Sequence, residues 1–281
     1  MPAFETSGPI TASLDVVAGD IRISASDRDT VAVEVRPSDP ANHEDVAVAE
    51  RTRVEYADER LLVKTPRQHT WRPRRTGGSV EVTVDLPAGS HVEGKGGLAD
   101  FRCEGRLGDC RITTGMGQIR VDQGGRLDLN SGLGDLSVER ATAHAELTLG
   151  SGEVRARALD ATAVIKNSNG DTWVGEAGGD LRIKAANGDI AVDRARTTVA
   201  AKSANGDVRL GEVLRDTVVL ETRLGDLEVG IPEGTAAWLD VHSTAGRVHN
   251  SLAAAEAPDP SAETVAVRAR TTAGNIVIRR P

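Results

Sequence analysis

The sequence predicts an all-β fold: a parallel β-solenoid (β-helix-like), with about 18 residues and two short strands per rung. Three observations carry this. First, a glycine-led corner recurs: Gly117-Gln-Ile-Arg-Val, Gly134-Asp-Leu-Ser-Val, Gly152-Glu-Val-Arg-Ala, Gly170-Asp-Thr-Trp-Val, Gly188-Asp-Ile-Ala-Val, Gly206-Asp-Val-Arg-Leu and Gly225-Asp-Leu-Glu-Val, at steps of 17, 18, 18, 18, 18 and 19 residues. Self-similarity at so short a period marks a stacked array. Second, apolar alternations fall halfway between the corners: Leu127/Leu129, Ala145/Leu147, Ala163/Ile165, Leu181/Ile183, Val199/Ala201 and Val218/Leu220. Third, aromatic residues make up 2% of the chain while glycine numbers 30. Each ring buries roughly 150–250 Å², so a core without rings is narrow and filled by Val, Leu, Ile and Ala.

Taken in chain order, residues 1–90 form a β-rich N-terminal cap. Their alternating stretches at 21–24, 31–36, 60–64 and 80–86 are longer than those of the repeats and predict antiparallel strands. One short helix is expected over 42–51, opened by Asp39-Pro40. A cap covers the strand edge that the first rung would otherwise expose.

Residues 91–281 form the solenoid as one continuous unit. Half a rung is too short for a useful helix with its loops, whereas strand, tight turn, strand, tight turn fits. Glycine supplies the backbone freedom each corner needs. Period-two alternation puts the middle residue of each corner triplet on the outer face: Arg111, Arg120, Ser137, Arg155, Trp173, Ala191, Arg209 and Glu228. Near the C-terminus, Thr244-Ala-Gly-Arg-Val and Thr272-Ala-Gly-Asn-Ile repeat one corner 28 residues apart, with a Pro-bearing insertion at 253–263 between them.

Charge and motif content exclude several functions. With 42 acidic against 34 basic residues the net charge is −8, which opposes nucleic-acid binding. No apolar run is long enough for a membrane helix, and the first twenty residues lack the apolar stretch of a signal peptide. A cytoplasmic protein with no membrane partner is therefore expected. Cys103 and Cys110 fit neither a disulfide framework nor a CxxC motif and are expected to be half-buried thiols.

The corner pattern Ser/Thr-x-x-Gly-Asp-Φ-x-Φ (Φ apolar), the segment Val80-Glu-Val-Thr-Val-Asp-Leu-Pro-Ala-Gly-Ser and the later Val229-Gly-Ile-Pro-Glu-Gly-Thr make the chain resemble a bacterial β-strand-repeat family labelled "putative adhesin", a domain family of unknown function. The resemblance spans nearly the whole chain. It implies a β-solenoid and carries over no catalytic or binding residue.

Two groups of residues stand out as candidates. Three successive rungs share Lys166-x-x-Asn169-Gly-Asp171, Lys184-x-x-Asn187-Gly-Asp189 and Lys202-x-x-Asn205-Gly-Asp207. Stacked Asp171, Asp189 and Asp207 are weak candidates for a calcium ladder, since hard cations gather oxygens. The calcium-binding β-roll, however, uses a nine-residue period with paired glycines. An Asn ladder, with Asp completing Asx-type turns, accounts for the same residues. The second group is the loop at 66–79, PRQHTWRPRRTGGS. Its Arg67, Trp71, Arg72, Arg74 and Arg75 are binding candidates, with the outward Trp173, because Arg and Trp are enriched at binding hot spots.

Parallel β-helices also carry polysaccharide-acting enzymes, but the six histidines show no metal-ligand spacing and no Gly-x-Ser-x-Gly elbow is present. Carboxylate pairs here arise from repetition, not from a local break in it. The sequence thus predicts a non-enzymatic interaction or scaffold protein with no cofactor and an unidentified protein partner. The alternatives are a surface adhesin-like protein exported by an unseen route and a carbohydrate-active β-helix enzyme.

Overall fold

The computed structural model describes residues 3–66, 77–252 and 263–281. Strands account for 68% of it and helix for 3%, in a parallel, solenoid-like sheet. The chain divides into two compact units, Met1–Val138 and Glu139–Pro281.

In the first unit the strands are β1 (Ala3–Glu5), β2 (Thr11–Ser26), β3 (Thr30–Pro37), β4 (Arg53–Ala57), β5 (Arg60–Lys64), β6 (Val80–Pro87), β7 (His91–Arg106), β8 (Cys110–Met116), β9 (Ile119–Gly124) and β10 (Leu127–Leu133), with helix α1 (His43–Arg51) between β3 and β4. Antiparallel pairs β1–β3, β3–β6 and β4–β5 supply the expected cap. Parallel stacking nevertheless begins earlier than the repeat pattern indicated. β2 pairs with β7 in parallel register from Thr11↔His91 to Ala25↔Gly105, so β2 is itself a rung. Each of these two 16-residue strands turns a corner without interruption, and β7 then stacks its first half on β8 and its second on β9.

Helix α1 forms where expected. Asn42 is its N-cap, the side chain accepting from Glu44 N at 3.0 Å, and Glu44 and Asp45 in the first turn oppose the positive helix end. Asp45 is buried and satisfied: Oδ1 accepts from Asn42 Nδ2 and Ser79 N, and Oδ2 from Asp39 N, each at 3.0 Å. One carboxylate thereby ties the helix start to two loops.

Strand β11 (Leu136–Ala141) is followed in the second unit by β12 (Ala145–Ser151), β13 (Val154–Leu159), β14 (Ala163–Asn169), β15 (Thr172–Ala177), β16 (Leu181–Asn187), β17 (Ile190–Ala195), β18 (Val199–Lys202), β19 (Val208–Val213), β20 (Asp216–Leu224), β21 (Leu227–Gly230), β22 (Ala236–Ala245), β23 (Val248–Asn250), β24 (Thr264–Ala273) and β25 (Ile276–Arg279). Even-numbered strands β12 to β20 stack in one parallel series and odd-numbered β13 to β21 in another. Ile190 and Val192 face inward and are buried while Ala191 between them faces out, as alternation requires.

Chain order and stacking order part at the C-terminus. β24 lies between β20 and β22, and β25 between β21 and β23. The repeated corners at Ala245 and Ala273 consequently lie side by side, with β22 and β23 as the outermost rung of this unit.

Glycine at the corners is a steric requirement. Gly188 has φ +125°, and a Cβ there would come within 2.2 Å of the Gly170 carbonyl oxygen one rung back. No side chain fits.

Candidate functional site

At the Asn-Gly-Asp corners the Asn ladder is present. Asn205 Nδ2 donates to Asn187 Oδ1 at 2.8 Å, and Asn187 Nδ2 donates to Asn169 Oδ1 at 2.9 Å. The aspartates depart from the Asx-type turns expected of them, because each reaches along the stack instead of into its own turn. Asp171 Oδ1 accepts from Asp189 N at 2.9 Å, Asp189 Oδ1 from Asp207 N at 2.8 Å, and Asp207 Oδ1 from Asp226 N at 2.8 Å. The N–H that follows Gly188, Gly206 and Gly225 thus finds its acceptor one rung back. Of the lysine column, Lys166 pairs with Glu146 at 2.8 Å and Lys202 with Glu221 at 2.7 Å. Among the described residues no three His, Cys, Asp or Glu side chains converge on a common point.

Behind many of the corners lies a buried polar side chain that sequence reasoning missed, with Leu149 and Ala185 taking its place in two rungs of the second unit. In the first unit Thr114 Oγ1 donates to Ala99 O and Ser131 Oγ to Gly117 O, both at 3.0 Å. In the second, Asn167 Nδ2 serves Gly152 O and Gly170 O at 3.1 and 2.9 Å, Thr222 Oγ1 serves Gly206 O at 3.1 Å and Thr271 Oγ1 serves Gly225 O at 3.0 Å. Thr114, Ser131, Thr222 and Thr271 are Ser/Thr residues of the Ser/Thr-x-x-Gly pattern, Asn167 takes the same place in its rung, and all five satisfy corner carbonyls that the sheet leaves over.

Trp173 sits on the outer face, half-buried, between Arg155 and Ala191 in register. Its Nε1 donates to Asp193 Oδ1 at 3.2 Å. With Gly175, Gly211 and Arg194 it borders a shallow groove of about 680 Å³. The other binding candidates, Arg67, Trp71, Arg72, Arg74 and Arg75, lie outside the described residues.

In the first unit the residue just before each corner is apolar and exposed: Leu98 at 54%, Met116 at 46% and Leu133 at 50%. Leu98 is in register with Met116, and Met116 with Leu133, so they form one column. In the second unit the same position carries Ser151, Asn169, Asn187 and Asn205, and then Leu224, which is again exposed, at 56%. The change from Met or Leu to Asn before the glycine was the available signal.

Cys103 and Cys110 are fully buried free thiols, deeper than the half-burial expected of them. Burial raises the thiol pKa of both; Cys110 is pushed from 9.0 up to about 12, with Asp109 adding to the effect. Such thiols are poor nucleophiles and poor metal ligands. Among the described residues no helix is long and apolar enough to cross a membrane.

Parallel rungs, corner glycines and outward side chains held in register define a β-solenoid repeat protein. The chain belongs to the Toastrack DUF4097 family, a domain family of unknown function whose model matches residues 12–279. Among curated proteins none matches it. Solved structures similar to it include a "putative adhesin" from Parabacteroides merdae, with 16% identity, TM-score 0.45, and coverage of 83% of this chain and 95% of that one. Two others, each called a "putative adhesin", come from Bacteroides fragilis (9% identity, TM-score 0.34, 99% and 95% covered) and Parabacteroides distasonis (13%, 0.31, 98% and 95%).

Proposed function

We propose that the protein is a non-enzymatic interaction module that presents in-register side-chain columns to a protein partner. The exposed column Leu98–Met116–Leu133 carries this reading. Single exposed apolar residues are ordinary, but a contiguous row marks an interaction site. A row spaced at the ~4.8 Å rung interval presents a ridge that a partner's apolar groove can cover. The polar Asn169, Asn187 and Asn205 at the equivalent position of the second unit show that the fold itself does not demand apolar residues there.

The test is comparative capture. Full-length protein and a Leu98→Ser, Met116→Ser, Leu133→Ser variant are cross-linked in the native cell, and the recovered proteins are compared. A protein recovered with the wild type and lost with the variant, at unchanged melting temperature, is the expected result. Identical recovery removes the ridge from the reading. In parallel, the chain is incubated with a panel of glycans; new reducing ends would overturn its non-enzymatic part.

A further inference from the structure

On the outer face of the first unit, Arg22, Arg102 and Arg120 form a column, Arg22↔Arg102 and Arg102↔Arg120 being register partners, with Thr83 in register beyond Arg22. Successive guanidinium groups therefore start from backbone positions ~4.8 Å apart. Among the described residues no carboxylate pairs with any of the three; Arg120 Nη2 donates to the Gln118 amide oxygen at 3.1 Å. Several other outward arginines have carboxylate partners: Arg111 with Asp128 at 3.0 Å, Arg155 with Glu153 at 2.7 Å and Arg209 with Asp207 at 3.7 Å. Three like charges in one column repel, and an external anion would relieve them.

Two residues earlier along each strand, and so on the same face, runs a second column of Glu81, Asp20 and Asp100. It lies roughly 6.6 Å from the arginines along the strand direction. Both columns line one groove of about 320 Å³. Three guanidinium groups and the Thr83 hydroxyl line one side of that groove, and the carboxylates of Asp20, Glu81 and Asp100 line the other with the Gln118 amide. Asp100 Oδ1 accepts from Gln118 N at 2.7 Å, and its Oδ2 accepts from none of the described residues.

We propose that this groove binds a linear sugar chain bearing carboxylates at intervals near the rung spacing, that is, an oligouronate. Its carboxylates would lie along Arg22, Arg102 and Arg120, where bidentate charge-assisted bonds form. Its hydroxyls would donate to Asp20, Asp100 and Glu81. The acidic column is what selects a sugar: a polyphosphate has no hydroxyl to donate and would be repelled by it. The site is separate from the apolar ridge, and neither reading depends on the other.

The experiment is calorimetric titration of the full chain, at low salt, with a galacturonate hexamer, an uncharged glucose hexamer and tripolyphosphate. Saturable binding of the uronate is expected, about tenfold or more tighter than either control, and weakened by a similar factor in Arg22→Gln/Arg102→Gln and in Asp20→Asn/Asp100→Asn. All four residues are exposed, and Asp100→Asn keeps an oxygen to accept from Gln118 N, which Asp100 Oδ1 does at 2.7 Å. If the acidic double variant melts lower, Asp20→Asn alone is read in its place, and if the arginine double variant does, Arg120→Gln is. Absence of saturable uronate binding, or binding unchanged in the folded variants, overturns the proposal. Tripolyphosphate binding as tight as the uronate overturns it as well, since bare charge would then suffice.

Discussion

The carboxylate of Asp189 accepts the backbone N–H of Asp207 at 2.8 Å, one rung further along the second unit. Asp171 stands in the same relation to Asp189 at 2.9 Å. A residue whose type and spacing resemble a cation ligand is thus bound up in holding its neighbour's backbone. Repetition makes the arrangement self-propagating, because each aspartate is acceptor to the next rung and its own N–H is donor to the previous one.

Removing that acceptor should cost measurable stability without touching any metal. Asp189→Ala is expected to destabilise by about 1–2 kcal/mol, toward the low end for a hydrogen bond to a charged group because the site is solvated. Asp189→Asn should cost less, since its carbonyl oxygen still accepts. Adding calcium or a chelator should leave the thermal midpoint unchanged. A ligand at 100 times its Kd would add ~2.7 kcal/mol and move the midpoint by a few degrees. A calcium-dependent rise that vanishes in Asp171→Asn/Asp189→Asn/Asp207→Asn would make the column a metal site after all.

Inward and outward residues of one corner triplet should respond differently. Ile190 is buried, and Ile190→Asp places an unpaired charge between stacked rungs, with an expected loss of several kcal/mol. Arg209 is exposed and pairs loosely with Asp207 and Glu228, both at 3.7 Å. Arg209→Ala should change stability by less than about 1 kcal/mol. Denaturant midpoints of the two variants, compared with wild type, measure the contrast; equal losses would contradict the assigned faces.

Corner geometry gives a third comparison. At Gly188 an added Cβ meets the Gly170 carbonyl oxygen at 2.2 Å, whereas at Gly234, also at positive φ (+81°), it meets nothing within 4 Å. Both Gly188→Ala and Gly234→Ala pay for left-handed backbone, on the order of 1–2 kcal/mol. Only the first must also push two rungs apart. Its melting temperature should fall further, and a smaller fall at Gly188 than at Gly234 would refute the steric account.

The repeat was legible because few residues can replace a corner glycine or an inward aliphatic in so narrow a core. Its beginning was not. Gly19-Asp-Ile-Arg-Ile is a full corner motif and Ala99-Asp-Phe-Arg-Cys a version with Ala for Gly, yet 80 residues separate them. The cap strands and α1 intervene, so no fixed step links the two, although β2 and β7 stack directly. That register hides Arg22, whereas Arg102 lies one 18-residue step before Arg120 and is hidden by Ala99 in place of the corner glycine. The placement of β24 between β20 and β22 was hidden for a similar reason: sequence similarity of two corners does not specify which lies nearer to the rung before them. The aspartates read as local turn formers because a carboxylate's reach to the next rung depends on stacking, which no single corner displays.

The last prediction concerns alkaline pH. Burial, reinforced by Asp109, raises the Cys110 thiol from 9.0 to about 12 in the folded chain. Between those values the unfolded thiol has lost its proton while the folded one keeps it, so the folded state binds more protons. Stability must then fall as pH rises. The contribution is complete below about pH 9 and is lost progressively toward pH 12, at roughly 1.4 kcal/mol per pH unit for this one group. The comparison is with Cys110→Val, which keeps an apolar side chain of similar size in the buried position and leaves every other side chain unchanged. Urea unfolding at several pH values from 8 to 11 should show a steeper decline for the wild type than for the variant. Parallel declines would mean that the Cys110 thiol ionises in the folded protein as freely as in the unfolded chain, and that its burial is not maintained in solution.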